Sequence, residues 1–112
     1  MSKRCLVVTS REVVALDLEE MMTALGASSV DTLRSVLSPP PDGYMVAFLD
    51  AGMLSGPGDP LISSLREWGT TVVVMLASSP AGFGEAGAIP LPMPFTSRDV
   101  ERLMQQHGIA FG

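Results

Sequence analysis

The sequence predicts a doubly wound α/β sandwich built on a parallel five-stranded sheet, and three observations point there. Short runs that are apolar throughout alternate along the chain with amphipathic segments of helical period. Strands buried on both faces read this way, and a parallel sheet with helices on its faces is the architecture that buries them so. The chain has 112 residues and a hydrophobic fraction of 46%, which suits one core and one domain spanning residues 1–112.

Each element follows in order. "RCLVV" (4–8) is a continuous, β-branched-rich run and reads as a buried strand. Val14, Leu18, Met21, Met22 and Leu25 then recur at helical spacing, with Asp17, Glu19 and Glu20 largely off that stripe and Gly26 closing the helix. "SSV" (28–30) reads as a brief strand and "DTLRSVL" (31–37) as a short helix capped by Asp31 or Ser29. "SPPPDG" (38–43) is a rigid turn. "YMVAFL" (44–49) is a buried strand ending at Asp50, and Asp59-Pro60 is an N-cap with a proline in the first helical position. Leu61, Ile62, Leu65 and Trp68 mark the inner face of the helix that follows. "TTVVVMLA" (70–77) is the clearest strand, and "AIPLPM" (88–93), with two prolines inside it, is tolerable only at a sheet edge. "TSRDVERLMQQHG" (96–108) is a capped helix with Val100, Leu103 and Met104 inward. Right-handed crossovers then place the functional rim at the carboxyl ends of the strands, around Thr9, Ser10, Asp50, Ala77, Ser78 and Met93.

Composition narrows the function. Net charge is −5 with no basic run, which disfavours direct nucleic-acid binding and attraction to an anionic membrane. No apolar run approaches the length that spans a bilayer, and "CLVV" after "MSKR" is too short for a signal peptide, so a cytoplasmic location is expected. The single cysteine, Cys5, sits within a strand pattern and reads as core. "GFGEAG" (82–87) formally matches a dinucleotide fingerprint, but prolines follow where a helix should begin, so it reads as a loop. His107, beside a helix C-terminal glycine, belongs to no catalytic or metal cluster that the sequence supports.

The order and spacing of "CLVV", a helix ending "ALG", "VAFLD", "TVVVML" and "GAIPLPMPFTSRDVERLM" resemble a response-regulator receiver domain over nearly the whole chain. The resemblance implies a (βα)5 sandwich in which Asp50 stands in the place of the phosphoacceptor. It also implies a Mg²⁺-binding acidic pair where this chain has Thr9 and Ser10, a switch Ser or Thr where it has Ala77 (or Ser78 next to it), and a lysine where it has Met93. A hard cation held through carboxylates loses its site when those carboxylates become hydroxyls. Thr9 and Glu12 instead fit a capping box. Arg11, facing Asp50, either supplies a fixed positive charge there or is a solvated surface arginine. The stretch between Ala77 and Gly87 is short and rich in helix breakers, so the receiver's fourth helix is expected to be shortened or lost. The resemblance also makes Met93-Pro94 a candidate cis peptide. It makes Phe83, Met93, Phe95, Arg98 and Arg102 a candidate interaction surface, while Met53 and Met93 are expected on the rim or its loops and Trp68 either packs or anchors a partner.

The expectation is a non-enzymatic pseudo-receiver with no cofactor and no metal. It would act by contact with another signalling protein, such as a histidine kinase or an output domain, with a homodimer as a further option. One alternative is an unorthodox phosphoacceptor at Asp50, assisted by Arg11 and the Ser10 or Ser78 hydroxyl. The other is a domain that binds a small anion or cyclic dinucleotide through arginines such as Arg11, Arg66 or Arg98.

Overall fold

A computed structural model describes residues 3–35, 43–77 and 82–111. Five strands, β1 (Arg4–Val8), β2 (Ser29–Leu33), β3 (Val46–Asp50), β4 (Thr71–Leu76) and β5 (Ile89–Pro92), form one sheet in the order β2-β1-β3-β4-β5. Every pairing is parallel. Three helices join them: α1 (Glu12–Ala24), α2 (Pro60–Glu67) and α3 (Ser97–Gln106), with a 3₁₀ turn at Ala51–Met53.

Strand alternation splits the core in two. Cys5, Val7, Val46, Phe48, Val73 and Met75 point to one face, where α1 brings Leu18 and Met22 and α3 brings Val100, Leu103 and Met104. Leu6, Val8, Ala47, Leu49, Val72 and Val74 point to the other, where Leu61, Ile62 and Leu65 of α2 cover them. β3 and the part of β4 after Thr71 are buried from both sides, which is why β3 is apolar up to Asp50 and β4 is apolar from Val72 to Leu76. The expected edge strand with prolines is β5, at the end of the sheet.

The caps fall largely where the residues put them. Asp59 accepts the Leu61 amide at 2.9 Å and Pro60 opens α2. Thr96 and Asp99 form a reciprocal capping box on α3. Three expectations need correction. The segment expected as a helix from Asp31 is extended through Leu33, because β1 offers it a full ladder from Arg4 to Val8. Its Asp31 carboxylate is engaged by Arg4 Nη2 at 2.8 Å and the Tyr44 hydroxyl at 2.7 Å, so it caps nothing. Among the described residues, therefore, no helix lies between β2 and β3, and most of "SPPPDG" falls outside them. The capping box expected at Thr9 and Glu12 does not form: Arg11 is the N-cap of α1 and makes no side-chain cap, while Glu12 lies 3.7 Å from Arg34. Trp68 is not on the inner face of α2 but is 45% exposed at its C-cap, since the helix ends one residue before it.

Residues 82–87, the described part of the segment before β5, are turns rather than a helix. Arg66 holds them to α2 by donating to the Ala86 carbonyl at 3.1 Å. Met93-Pro94 is cis.

Candidate functional site

β1 and β3 are neighbours, so their ends bring Thr9 and Asp50 together at the carboxyl rim of the sheet. Thr9 is buried to 1% exposure and its amide continues the β1–β2 ladder by donating to the Leu33 carbonyl. Its hydroxyl donates to Asp50 Oδ2 at 3.1 Å and accepts the Arg11 amide at the same distance. Asp50, 8% exposed, accepts the Gly52 amide on Oδ1 at 3.0 Å and so caps the 3₁₀ turn that follows β3. Arg11 reaches Asp50 Oδ2 through Nε at 3.9 Å, with more than half of its side chain in solvent.

The carboxylate is thus a tie between two loops. Both of its oxygens are engaged, one by an amide of its own turn and one by the hydroxyl that also orders the start of α1. Gly52 was missed as a partner by sequence reasoning, although Asp-Ala-Gly is the spacing at which an aspartate accepts the amide two residues on. Thr9 was singled out, but for the wrong partner.

Other expected members of the site scatter. Ser10 and Ala77 are exposed, Ala77 brings no polar side chain, and Ser78 lies outside the described residues. The Met93 amide donates to the Leu76 carbonyl at 2.8 Å, and the residue packs with Phe95 against the α1–α3 core. Phe83 packs against the opposite core, with α2. The candidate interaction surface is therefore divided by the sheet: Met93 and Phe95 lie on one side with the exposed Arg98 and Arg102 of α3, and Phe83 on the other. Met53 packs loosely against the α2 side. Burial pushes the Cys5 thiol up to about 12, with the nearby Asp31 charge adding to the effect, so it is an inert core group.

Mg²⁺ prefers several oxygen ligands in octahedral array, with carboxylates supplying the charge. Here Asp50 brings one carboxylate, Thr9 turns a donor toward it, and a guanidinium stands where a second cation would have to approach. Among the described residues no three His, Cys, Asp or Glu side chains gather to hold a metal. The residues present do not fit the ion.

No family model and no curated protein matches the chain. Solved structures do match it. A signal receiver domain of a response regulator from Bermanella marisrubri superposes with a TM-score of 0.74 at 21% identity, covering 95% of this chain and 98% of that one. This is the receiver fold. A chemotaxis-regulator-like receiver domain from Methylobacillus flagellatus matches the receiver fold of this chain with a TM-score of 0.74 at 18% identity, over 95% and 98% of the two chains. The beryllofluoride-activated form of SdrG from Pseudomonas melonis does so with a TM-score of 0.72 at 21% identity, over 92% and 93%. Within that fold the chain keeps the five parallel strands and, among the described residues, three of the helices. No described helix is long and apolar enough to cross a membrane.

Proposed function

We propose that this chain is a pseudo-receiver: a regulatory domain of signal transduction that works by protein–protein contact, without the ordinary Mg²⁺-dependent phosphorylation of an aspartate. The observation that carries this reading is the state of Asp50. Its two oxygens are taken up by Thr9 and Gly52, and the cation beside it is the side chain of Arg11. Phosphoryl transfer to a carboxylate depends on positioning and on neutralising charge spread over the transferred group. A metal that would do this finds no donor set among the described residues, and the Met93 side chain offers neither a charge nor a hydrogen-bond donor where the resemblance implies a lysine. Asp50 serves as the tie that holds the β1–α1 loop against the turn after β3. A histidine kinase or an output domain is the partner class that the receiver fold favours.

An amide NMR titration of the labelled chain with Mg²⁺ and beryllofluoride tests the reading. The expected outcome is no saturable shift at Asp50, Gly52 or Met93. Coordinated, saturating shifts at those amides, lost in Asp50→Asn, would sink it in favour of an unorthodox phosphoacceptor that uses Arg11 as its cation.

A further inference from the structure

Two surfaces at opposite edges of the sheet are opposite in charge, and each has an apolar centre. The first is the outer face of α1, which crosses over the β1–β2 half of the sheet. Val13 and Leu16 are 71% and 55% exposed there, three residues apart and on one side of the helix. Glu12, Glu19 and Glu20 stand at the helical positions around Leu16, and α1 contains no basic residue. Arg34 approaches one end of this face through Glu12. The face is apolar at its centre and acidic around it.

The second surface is a groove of about 410 Å³ between β5 and α3. Ile89, Leu91, Pro92, Pro94 and Leu103 give it apolar walls, and Arg102, Gln106 and His107 stand along its rim. Asp99, at one end, has its carboxylate tied to the Thr96 amide at 2.9 Å. A hollow of about 340 Å³ continues past Ile89 and His107 to Arg66. In a chain of net charge −5, this edge gathers basic groups around an apolar floor.

The edge does not accept an added strand. The Met93 amide faces β4, and amides of alternate residues share a direction, so positions 90 and 92 face outward. Both are proline and have no N–H to donate. An occupant must be read by its side chains, as a helix is.

We propose that the outer face of α1 in one copy docks into the β5–α3 groove of a second copy, head to tail. The apolar centre formed by Val13 and Leu16 sits against Ile89, Leu91 and the prolines, and the glutamates meet Arg102 and Arg66. One helix in one groove is a small interface, so association is weak and concentration-dependent. Because the two surfaces differ, it is heterologous and continues into chains or closes into rings rather than stopping at a two-fold dimer. Neither surface includes Asp50 or Arg11, so this inference stands apart from the reading of the rim.

Sedimentation equilibrium of the full chain, from tens of micromolar to millimolar protein, tests it. The weight-average mass climbs beyond twice 11.8 kDa at low salt and falls back as salt is raised. Arg102→Glu, which spoils the groove, and Leu16→Glu, which spoils the helix face, each remain monomeric with unchanged circular dichroism, and Glu20→Lys is a second probe of the helix face. Mixed in equal amounts, Arg102→Glu and Leu16→Glu form a dimer that grows no further, since each keeps the surface the other lacks. A wild-type chain that stays monomeric, that stops at a dimer, or that associates equally well with these substitutions overturns the proposal.

Discussion

Thr9 is the residue on which the rim turns. Its hydroxyl works in both directions, donating to Asp50 and accepting from the Arg11 amide, in a place closed to water. A buried group left without its partner costs the full penalty of desolvation, whereas an exposed one recovers hydrogen bonds from solvent. Thr9→Val keeps the shape and removes the hydroxyl, so both Asp50 Oδ2 and the Arg11 amide lose a partner. The expected loss is about 1–3 kcal/mol in urea denaturation, and Thr9→Ser recovers most of it. An unchanged midpoint for Thr9→Val would mean that the tie contributes nothing. The sequence marked Thr9 as a helix cap because a Thr three residues before a Glu fits that pattern. The pattern contains no information about the aspartate 41 positions away that takes the hydroxyl instead.

At the scale of elements, the N-termini of α1 and α3 behave differently. Thr96 caps α3 and Asp99 returns the bond to its amide, while Arg11 begins α1 with no side-chain cap at all. Arg11 is placed for Asp50 instead, but at 3.9 Å and with an exposed side chain, a geometry in which ion pairs contribute little. Arg11→Ser therefore exchanges a weak pair for a good cap, and the expected change is a gain of about 0.5–1 kcal/mol in thermal or urea unfolding. A clear loss of stability would show that the pair with Asp50 outweighs the cap. The strands of this sheet were legible in the sequence because β1, β3 and β4 are apolar at nearly every position. β2 was legible only in part. Val30, Asp31 and Thr32 suit either a strand or a helix start, and the open ladder of β1 decided between them.

The whole molecule is fastened at the opposite end of the sheet from Asp50. Arg4 at the start of β1, Asp31 in β2 and Tyr44 just before β3 form one cluster: the arginine and the tyrosine hydroxyl both donate to the carboxylate, and the guanidinium lies 4.6 Å from the ring centre. The hydrogen bond from Tyr44, and then that from Arg4, hold the Asp31 carboxyl below its usual range. Burial, then the bond to Asp31, pushes the Tyr44 hydroxyl up to about 12. A depressed carboxyl contributes stability above its unfolded value, near 4, and loses it as pH falls through the lower folded one. A raised phenol contributes fully below its unfolded value, near 10, and loses that contribution as pH rises through about 12. Tyr44 is the one tyrosine of the chain, so its absorbance titration reports this directly. The expected midpoint is about 12 in the wild type, lowered part-way in Asp31→Asn because burial remains. A midpoint near 10 with native circular dichroism would contradict the cluster.

The sequence by itself determined the architecture. Apolar strands that alternate with amphipathic helices leave a parallel sheet as the arrangement that buries both, and local signals such as Asp59-Pro60 and Thr96 with Asp99 set where helices begin. It also placed Asp50 at the rim, since a carboxylate after an apolar strand has nowhere else to go. Tertiary structure alone decided what that carboxylate touches, which side of the sheet Phe83 and Met93 take, and how charge divides between α1 and the β5 edge. The physical reason is range. Period and capping are properties of neighbours along the chain, while a hydrogen bond across 41 residues, or two faces at opposite edges, exist only once the strands have paired.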